Sequence, residues 1–225
     1  MDPTIFLTQI LMPALWQGLI ITLALVLLTA PFGLLLGIGI ALGRQYGGRA
    51  LSSACAGYII FFKGCPLLLL LFMIYFGLPT IGITLPAFTA SVLGFILCNA
   101  AYNSEYIRGA IRSIKEGQMT AAQALGMTKA QAIETVILPQ ALRRAIPGLS
   151  NEFIYLIKYS SLAYMITVVE LSGAGKLVAT KYFMYNESFL AVGIVYLALV
   201  TLTTYGVDLL EKRVAIPGMG QKSSG

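Results

Sequence analysis

The sequence lacks histidine altogether and carries few charged residues. Only 11% of its 225 residues are Asp, Glu, Lys or Arg, whereas soluble domains contain about 25%. So few charges exclude a water-soluble surface for a chain of this length, and the 58% hydrophobic content predicts an integral membrane protein. Histidine is the commonest general base and metal ligand, so its absence argues against an enzymatic site.

Cysteine is scarce as well. Cys55, Cys65 and Cys98 form no CxxC pair, and each lies in or beside an apolar stretch. Small apolar packing is therefore a better interpretation than a metal or redox site. No catalytic residue and no metal ligand are predicted.

Basic residues are distributed beside the apolar stretches instead of forming one patch. Arg44 and Arg49 follow the first apolar stretch, and Lys212 and Arg213 follow the last. This is the positive-inside pattern of cytoplasmic loops. Because the basic residues are distributed in this way, the net charge of +6 does not indicate nucleic-acid binding, and we predict no nucleic-acid partner. The other basic residues of this kind surround a middle segment and are Arg108, Arg112, Lys115, Lys129, Arg143 and Arg144.

Apolar stretches that approach the roughly 20 residues of a spanning helix recur along the chain. With Arg44 and Arg49 in the cytoplasm, the N-terminus lies outside, while segment 108–144 and the C-terminus lie inside. The sequence thus predicts an all-α integral membrane protein, a single domain over residues 1–225, with about five transmembrane helices, N-out and C-in. The predicted spans are roughly 15–42, 55–77, 85–107, 145–166 and 187–210, of which 145–166 is the least apolar.

Two features predict local helix geometry. Gly33 and Gly37, and again Gly39 and Gly43, have the GxxxG spacing that lets helices approach closely. Pro66, soon after Lys63, predicts a kink in the second span.

The segment between the third and fourth spans carries helix-capping signals. Thr120 and Thr128 are each followed three residues later by a glutamine, which is the capping-box pattern. Gly126 suits the left-handed turn that ends a helix, and Pro139 interrupts the helix that follows. The sequence predicts two short helices joined by a tight glycine turn, within a cytoplasmic loop at about 116–140.

These short helices have an apolar face that must be buried. A groove on a partner protein could cover it, and so could the membrane or the chain's own spans. The residues alone leave both interpretations open. The face consists of Ala122, Leu125, Ala132, Ile133, Val136 and Ile137.

Three ordered elements and the middle loop together resemble one family of membrane proteins. The elements are KGCPLLLLLFMIYFGLP at 63–79, AAYNSEYIRGAIRSIKEGQ at 100–118 and LPQALRRAIPGLSNEFIYLIKYSSL at 138–162. In the loop, Ala-Ala, Gly126 and Ile-Leu-Pro resemble the "EAA" signature. The chain is therefore similar to ABC importer permeases, above all to the polar amino acid uptake family of histidine, glutamine, arginine and glutamate permeases.

The resemblance implies a fold, a location and partners. It implies a multi-pass type I ABC importer permease of the bacterial inner membrane, surrounded by lipid, that carries a polar amino acid. The implied partners are a pair of cytoplasmic ATP-binding subunits, a second permease subunit and an extracytoplasmic solute-binding protein. ATP-Mg would be bound by the partner ATPase, with no cofactor in this chain. The implied ATPase-coupling residues are Thr120, Ala121, Ala122, Leu125, Gly126, Leu138 and Pro139.

Two positions depart from the family pattern. Thr120 stands where a glutamate usually opens the signature, so a salt bridge from that position to the ATPase is lost. Tyr159 stands where an aspartate usually follows Lys158. The loss of that anionic group argues against a purely cationic substrate, unless a partner subunit supplies the charge.

Polar side chains form stripes along the third and fourth predicted spans. A lysine at the centre of a membrane costs about 2.5–3.5 kcal/mol, so Lys158 is a candidate for function. We predict that the stripes line the substrate passage and that Lys158 attracts the carboxylate of an amino acid. Alternatively, Lys158 bonds a carbonyl at a helix break and the asparagines hold helices together. The predicted substrate-binding residues are Asn99, Asn103, Tyr155, Lys158, Tyr159, Ser160 and Ser161.

Two other functions are compatible with such a chain. An ATP-independent secondary transporter is one, although such folds commonly contain internal repeats and this sequence has none in evidence. A membrane scaffold is the other, although a scaffold has no need of capped cytoplasmic helices. Co-purification of an ATPase through the loop would distinguish the importer from both.

Overall fold

The computed structural model describes residues 3–214, and every regular element in that range is helical. The turn Pro3–Ile5 and the π-helical segment Phe6–Leu11 lead into α1, Met12–Tyr46. The predicted all-α fold is confirmed, and residues 215–225 lie outside the described part. The other helices are α2 (Arg49–Gly64), α3 (Leu67–Phe72), α4 (Ala87–Arg112), α5 (Gly117–Ala124), α6 (Lys129–Ala132), α7 (Leu138–Tyr159), α8 (Leu171–Tyr182) and α9 (Tyr185–Val214).

Helix α4 is the centre of the bundle and packs mainly against α1 and α7. Its buried side chains are mostly small, which allows neighbouring backbones to come close. Gly33 of α1 faces the side chain of Asn99, and Gly37 faces Asn103. The first GxxxG pair is therefore confirmed as a close-approach site, because a β-carbon at either glycine would overlap α4.

The second glycine pair contributes only in part. Gly43 packs against Cys55 and Leu51 of α2, whereas Gly39 has no atom of the described residues within 4 Å of the place where a β-carbon would lie. Close packing by the second pair thus depends on Gly43 alone.

The described residues include two helices that are long and apolar enough to cross a membrane, Phe6–Tyr46 and Tyr185–Val214. Two bent pairs raise the number to four if each is one span. Helix α4 has 26 residues, about 39 Å at the rise of an α-helix, but its middle carries Asn99 and Asn103 and is therefore less apolar. By length and composition the described residues therefore contain two to four candidate spans, and a fifth span at α4 stays a prediction.

The second predicted span, 55–77, is not one helix. It breaks at Cys65 and Pro66, where Arg49–Gly64 and Leu67–Ile81 meet at an angle of 102°. Pro66 has no backbone N–H to continue the helix, and the residue before a proline is driven to extended backbone, as Cys65 is with ψ 127°. The kink predicted at Pro66 is confirmed, and it is a sharp corner.

The fourth predicted span also differs in extent. One helix runs without a break from Lys129 to Ile166 and then bends by 49° into α8. The segment after Ile166 is largely the helix α8. Glu170 caps it by accepting hydrogen bonds from the backbone N–H groups of Ser172 and Gly173 at 2.9 and 2.8 Å.

Candidate functional site

The first candidate site is a helical knob, residues 117–132, formed by α5 and α6 around Gly126. Gly126 has φ +88°, so the predicted left-handed glycine turn is confirmed. The capping box at Thr128 is also confirmed, because its Oγ1 accepts the N–H of Gln131 at 3.3 Å while the Gln131 Oε1 accepts the N–H of Thr128 at 2.9 Å. These local bonds fix the direction in which α6 leaves the turn.

The capping box predicted at Thr120 is wrong. Helix α5 begins three residues earlier, at Gly117, so Thr120 lies inside it. Its Oγ1 donates to the carbonyl of Glu116 at 3.4 Å instead of accepting a backbone N–H. A hydroxyl inside a helix can bond the carbonyl one turn back, which explains the difference.

The second helix of the knob is not short, contrary to prediction. It continues through the π-helical segment Ile133–Ile137 into α7, with Pro139 in the first turn of α7 and Pro147 inside it. In the π-helical segment the N–H of Leu138 bonds the carbonyl of Ile133, five residues back. This wider turn accommodates a proline that would interrupt regular i to i−4 bonding. The knob is therefore continuous with a spanning helix.

Most of the apolar face of the knob packs inside the chain. Ala122 and Ala132 are buried, as is Ile137 just beyond the knob. Leu125 is the exception, with 82% of its surface exposed at the tip. Of the predicted ATPase-coupling residues, Leu138 is half-buried and Ala122 buried, and those on the surface are Thr120, Ala121, Leu125, Gly126 and Pro139.

The knob is held firmly to the bundle. Ile137 and Ala141 belong to a buried cluster with Ile107 and Ile111 of α4. The guanidinium of Arg144 donates to the carbonyl and hydroxyl of Ser113 at 2.6 and 3.0 Å, and Lys129 lies over the ring of Tyr46 at 5.6 Å. A displacement of the knob must consequently move α4 and α7 with it.

An ion triad joins α1 and α4 near the knob. Arg108 donates twice to Glu105, at 2.9 Å each, and Arg44 donates to the same carboxylate at 2.5 Å. One carboxylate between two guanidinium groups ties the ends of two packed helices together.

The second candidate site is a cluster of buried polar side chains between α4 and α7. Asn103 donates to Asn99 at 2.7 Å, and Asn99 donates to Oε1 of Glu152 at 3.3 Å. The hydroxyl of Tyr159 donates to the same Oε1 at 3.0 Å and lies 3.5 Å from the Asn99 amide nitrogen. Asn99, Asn103 and Glu152 are each less than 5% exposed. The structure thus brings Asn99, Asn103 and Tyr159 of the predicted site together.

Glu152 is the member of this cluster that the sequence analysis missed. Within residues 3–214 the carboxylate forms no ion pair, and both of its hydrogen bonds go to Oε1. Oε2 accepts no hydrogen bond from the described residues. The available signal was an acidic residue in an apolar span, seven positions before Tyr159 and so on the same side of the helix. The cluster therefore has one carboxyl oxygen without a hydrogen-bond donor among the described residues, in a group held in place by two uncharged donors.

The remaining predicted substrate-binding residues lie elsewhere. Tyr155 and Lys158 are exposed on another face of α7, with Lys158 Nζ 4.7 Å from the centre of the Tyr155 ring. Ser160 and Ser161 donate to the helix's own carbonyls of Ile157 and Lys158 at 2.7 and 2.8 Å. Tyr155 and Lys158 are available to a partner or to solute, whereas the serine protons are already engaged.

A cavity of about 340 Å³ opens beside the two asparagines. Its walls are otherwise almost entirely apolar and come from α1, α4, α7 and α9. Glu152 itself is not among the described residues that line this cavity. The other lining residues are Ala30, Leu34, Ile146, Leu149, Ser150, Phe153, Val207 and Leu210.

A second buried carboxylate, Glu170, links three helices. Besides capping α8, it accepts a hydrogen bond from the hydroxyl of Tyr196 in α9 at 2.9 Å and lies 3.5 Å from the hydroxyl of Thr22 in α1. Both carboxylate oxygens of Glu170 already accept hydrogen bonds, so we interpret Glu170 as a structural link between helices. Among the described residues, no three His, Cys, Asp or Glu side chains form a group that could hold a metal ion.

Comparison with known proteins connects this arrangement to transport. Residues 33–216 match the family described as "Binding-protein-dependent transport system inner membrane component". The chain is 40% identical over 208 residues to the "Probable amino-acid permease protein YxeN" of Bacillus subtilis, covering 91% of this chain and 93% of that protein. It is 35% identical to the "L-cystine transport system permease protein TcyL" of the same organism, covering 90% and 87%.

Solved structures have the same fold. A structure titled "Crystal structure of an amino acid ABC transporter with histidines" matches with a TM-score of 0.83 and 34% identity, covering 90% of this chain and 94% of that one. An inward-facing MetNI methionine ABC transporter matches with a TM-score of 0.80 at 20% identity, over 96% of this chain and 100% of that one, which concerns the fold alone. The predicted type I ABC importer permease fold is confirmed.

Proposed function

This chain belongs to the family of binding-protein-dependent transport system inner membrane components, and from that premise we propose that it is the permease subunit of an ATP-driven importer of polar amino acids. As a member of that family it is a multi-pass inner-membrane protein. The named function of its relatives, amino-acid and cystine permeases, supports an amino acid as the solute. An N-out, C-in orientation follows from the basic residues beside the spans.

The cytoplasmic knob is the proposed contact with the ATPase. Leu125 presents an apolar side chain at the tip. Thr120, on the surface of the same knob, is uncharged at the position where the family usually has a glutamate. Contact with the ATPase is therefore apolar at its centre, of the kind in which a helix inserts into a groove. A pair of ATP-binding subunits binds and hydrolyses ATP-Mg, and this chain contributes no catalytic group.

Rigid attachment converts that contact into transport. Because the knob is continuous with α7 and packed on α4, closure of the ATPase pair moves both helices as one body. The polar cluster between α4 and α7 then alternates between the two sides of the membrane. Five helices are too few to enclose a passage, so a second permease subunit completes it, and a solute-binding protein delivers the amino acid from outside.

Glu152 is the proposed anchor for the substrate, and its free Oε2 is the single observation that carries this assignment. A buried carboxylate without a cation is costly, and an ammonium group of the substrate would compensate it. Asn99 and Tyr159 hold the carboxylate in position, whereas Tyr155 and Lys158 are exposed on another face of α7. Tyr159 in place of a second anionic group favours a substrate with a neutral polar side chain.

Transport in proteoliposomes tests this proposal. The permease is reconstituted with its ATPase and solute-binding protein, and a panel of L-amino acids is screened for stimulated ATP hydrolysis and for uptake. We expect a subset of neutral polar amino acids to stimulate both, and Glu152→Gln to reduce uptake at least about tenfold, because a hydrogen bond to a charged group contributes about 1.5–3 kcal/mol.

Glu187→Gln is the matched control, since Glu187 is exposed in the first turn of α9. Its uptake should equal that of the unaltered protein. A flat response to every amino acid, or normal uptake by Glu152→Gln, would count against the proposal.

A further inference from the structure

Lys63 is a charged residue within an apolar segment that the function described so far does not use. It lies in the last turn of α2, immediately before the corner at Cys65 and Pro66. Its side chain is exposed, and its Nζ lies 5.0 Å from the centre of the Tyr102 ring. A lysine at such a position is costly unless it faces water, an anion or a polar cavity.

The ring of Tyr102 places Lys63 on the side of α4 that carries the polar cluster. Tyr102 follows Asn99 by three residues on the same helix, so the two side chains lie one turn apart. Phe62, the residue before Lys63, accepts a weak hydrogen bond from Cys98, which directly precedes Asn99 on α4. Lys63 is nevertheless in no ion pair among the described residues, where the two ion pairs both belong to Glu105.

Lys63 and Glu152 therefore face one region of the chain with opposite charges and do not neutralise each other directly. The lysine has an aromatic face as its partner, and Glu152 has only uncharged donors on one oxygen. An α-amino acid carries an ammonium and a carboxylate on the same carbon. Bound between the two side chains, it would satisfy both charges at once.

Lys158 is less well placed for this role. It follows Glu152 by six residues, which puts it about 120° around the helix from Glu152. Its Nζ lies over Tyr155 on the exposed face of α7. The corner at Cys65 and Pro66, in contrast, directs the end of α2 toward α4, where Phe62 accepts a weak hydrogen bond from Cys98 at 3.8 Å.

We propose that Lys63 is a substrate-binding residue that holds the carboxylate of the amino acid while Glu152 holds its ammonium group. This inference rests on the proposed function and extends it from a polar amino acid to a specific requirement, a free α-carboxylate. The sharp corner in the second span then has a purpose, because it presents a lysine at the polar cluster and leaves its ammonium unpaired until substrate arrives.

Direct binding to the intact permease–ATPase complex tests the inference. The probes are radiolabelled L-glutamine and L-serine and their amides, L-glutaminamide and L-serinamide, which keep the ammonium but lose the carboxylate charge. Equilibrium dialysis is carried out with the unaltered complex and with Lys63→Met, Lys63→Arg and Glu152→Gln. Lys181→Met is the matched control, because Lys181 is exposed and lies over Tyr182 at 5.5 Å, away from the polar cluster.

The unaltered complex should bind an acid more tightly than its amide. Lys63→Met should weaken binding of the acid by about 10- to 100-fold, as expected for a charge-assisted bond, and leave binding of the amide unchanged. That unchanged binding also demonstrates that the variant is folded. Lys63→Arg should retain the preference for the acid, Glu152→Gln should weaken both ligands, and Lys181→Met should behave as the unaltered complex does.

The two proposals fail in different ways. If Glu152→Gln weakens binding but Lys63→Met leaves the ratio of acid to amide affinity unchanged, the role of Lys63 is overturned and the proposed function stands. If the unaltered complex binds none of the acids, the proposed function is overturned and the assignment of Lys63 falls with it.

Discussion

Truncation of Leu125 tests the energy of the proposed contact between the knob and the ATPase. Complete burial of a leucine side chain contributes about 1.5–3 kcal/mol. Because 82% of Leu125 is exposed in this chain, nearly all of that energy is available to a partner. Allowing for the β-carbon that alanine retains, we expect Leu125→Ala to cost about 1–2 kcal/mol per docked knob, which weakens ATPase affinity by roughly 5- to 30-fold.

The stability of the permease itself should not change, since Leu125 packs on little of its own chain. Affinity is measured by binding of purified ATPase to immobilised permease, and stability by thermal unfolding in the same detergent. Leu202→Ala is the matched control, because Leu202 is 71% exposed but lies on α9 in an apolar span. Equal affinities for Leu125→Ala and the unaltered permease would refute the reasoning, as would a large fall in melting temperature.

Two further predictions concern the bundle. Gly33→Ala should destabilise the fold by about 1–3 kcal/mol, because the added β-carbon overlaps the Asn99 side chain. Gly39→Ala, with open space around it, should leave the melting temperature unchanged or raise it slightly. Equal effects of the two substitutions on the melting temperature would contradict the packing described. Glu170→Ala should lower the free energy of unfolding by about 2–4 kcal/mol, and with it the melting temperature, since it removes the cap of α8 and leaves Tyr196 without its acceptor. Glu170→Gln should recover part of this loss. An unchanged melting temperature in Glu170→Ala would contradict a structural role for Glu170.

Sequence reasoning succeeded where the signal is local. The turn at Gly126 and the capping box at Thr128 each depend on residues within three positions of one another, so they could be identified directly. In each case a short-range hydrogen bond or a backbone conformation decides the structure.

Long-range contacts escaped prediction. Glu152 pairs with Asn99, 53 residues away, and the sequence shows only an isolated acidic residue in an apolar span. Pro66 predicted a kink, but the 102° angle depends on how the two halves of the span pack on α4. Pro139 suggested the end of a helix, yet the neighbouring π-helical segment absorbs the proline and the helix continues.

Because this helix continues from the knob into α7, the knob and the spanning helix move together. Two independent short helices, as the sequence predicted, would have allowed the knob to tilt without moving α7. A single helix from Lys129 to Ile166 does not allow this, and it connects the tip at Leu125 with the polar cluster at Glu152 through about two dozen residues of helix.

The most direct test of the account is cross-linking from the tip of the cytoplasmic knob in native membranes. In a variant whose three cysteines are replaced by alanine, a single cysteine is introduced at the exposed Ala124 and, as a control, at the buried Ala132. With a benzophenone-maleimide, whose maleimide alkylates the introduced thiol and whose ketone, when irradiated, inserts into a C–H bond of a neighbouring protein, we expect Ala124→Cys to capture the ATPase subunit and Ala132→Cys to capture nothing. Failure of Ala124→Cys to capture any ATP-hydrolysing protein, with the permease intact and active in uptake, would contradict the claim that the energy of ATP enters this chain through the knob.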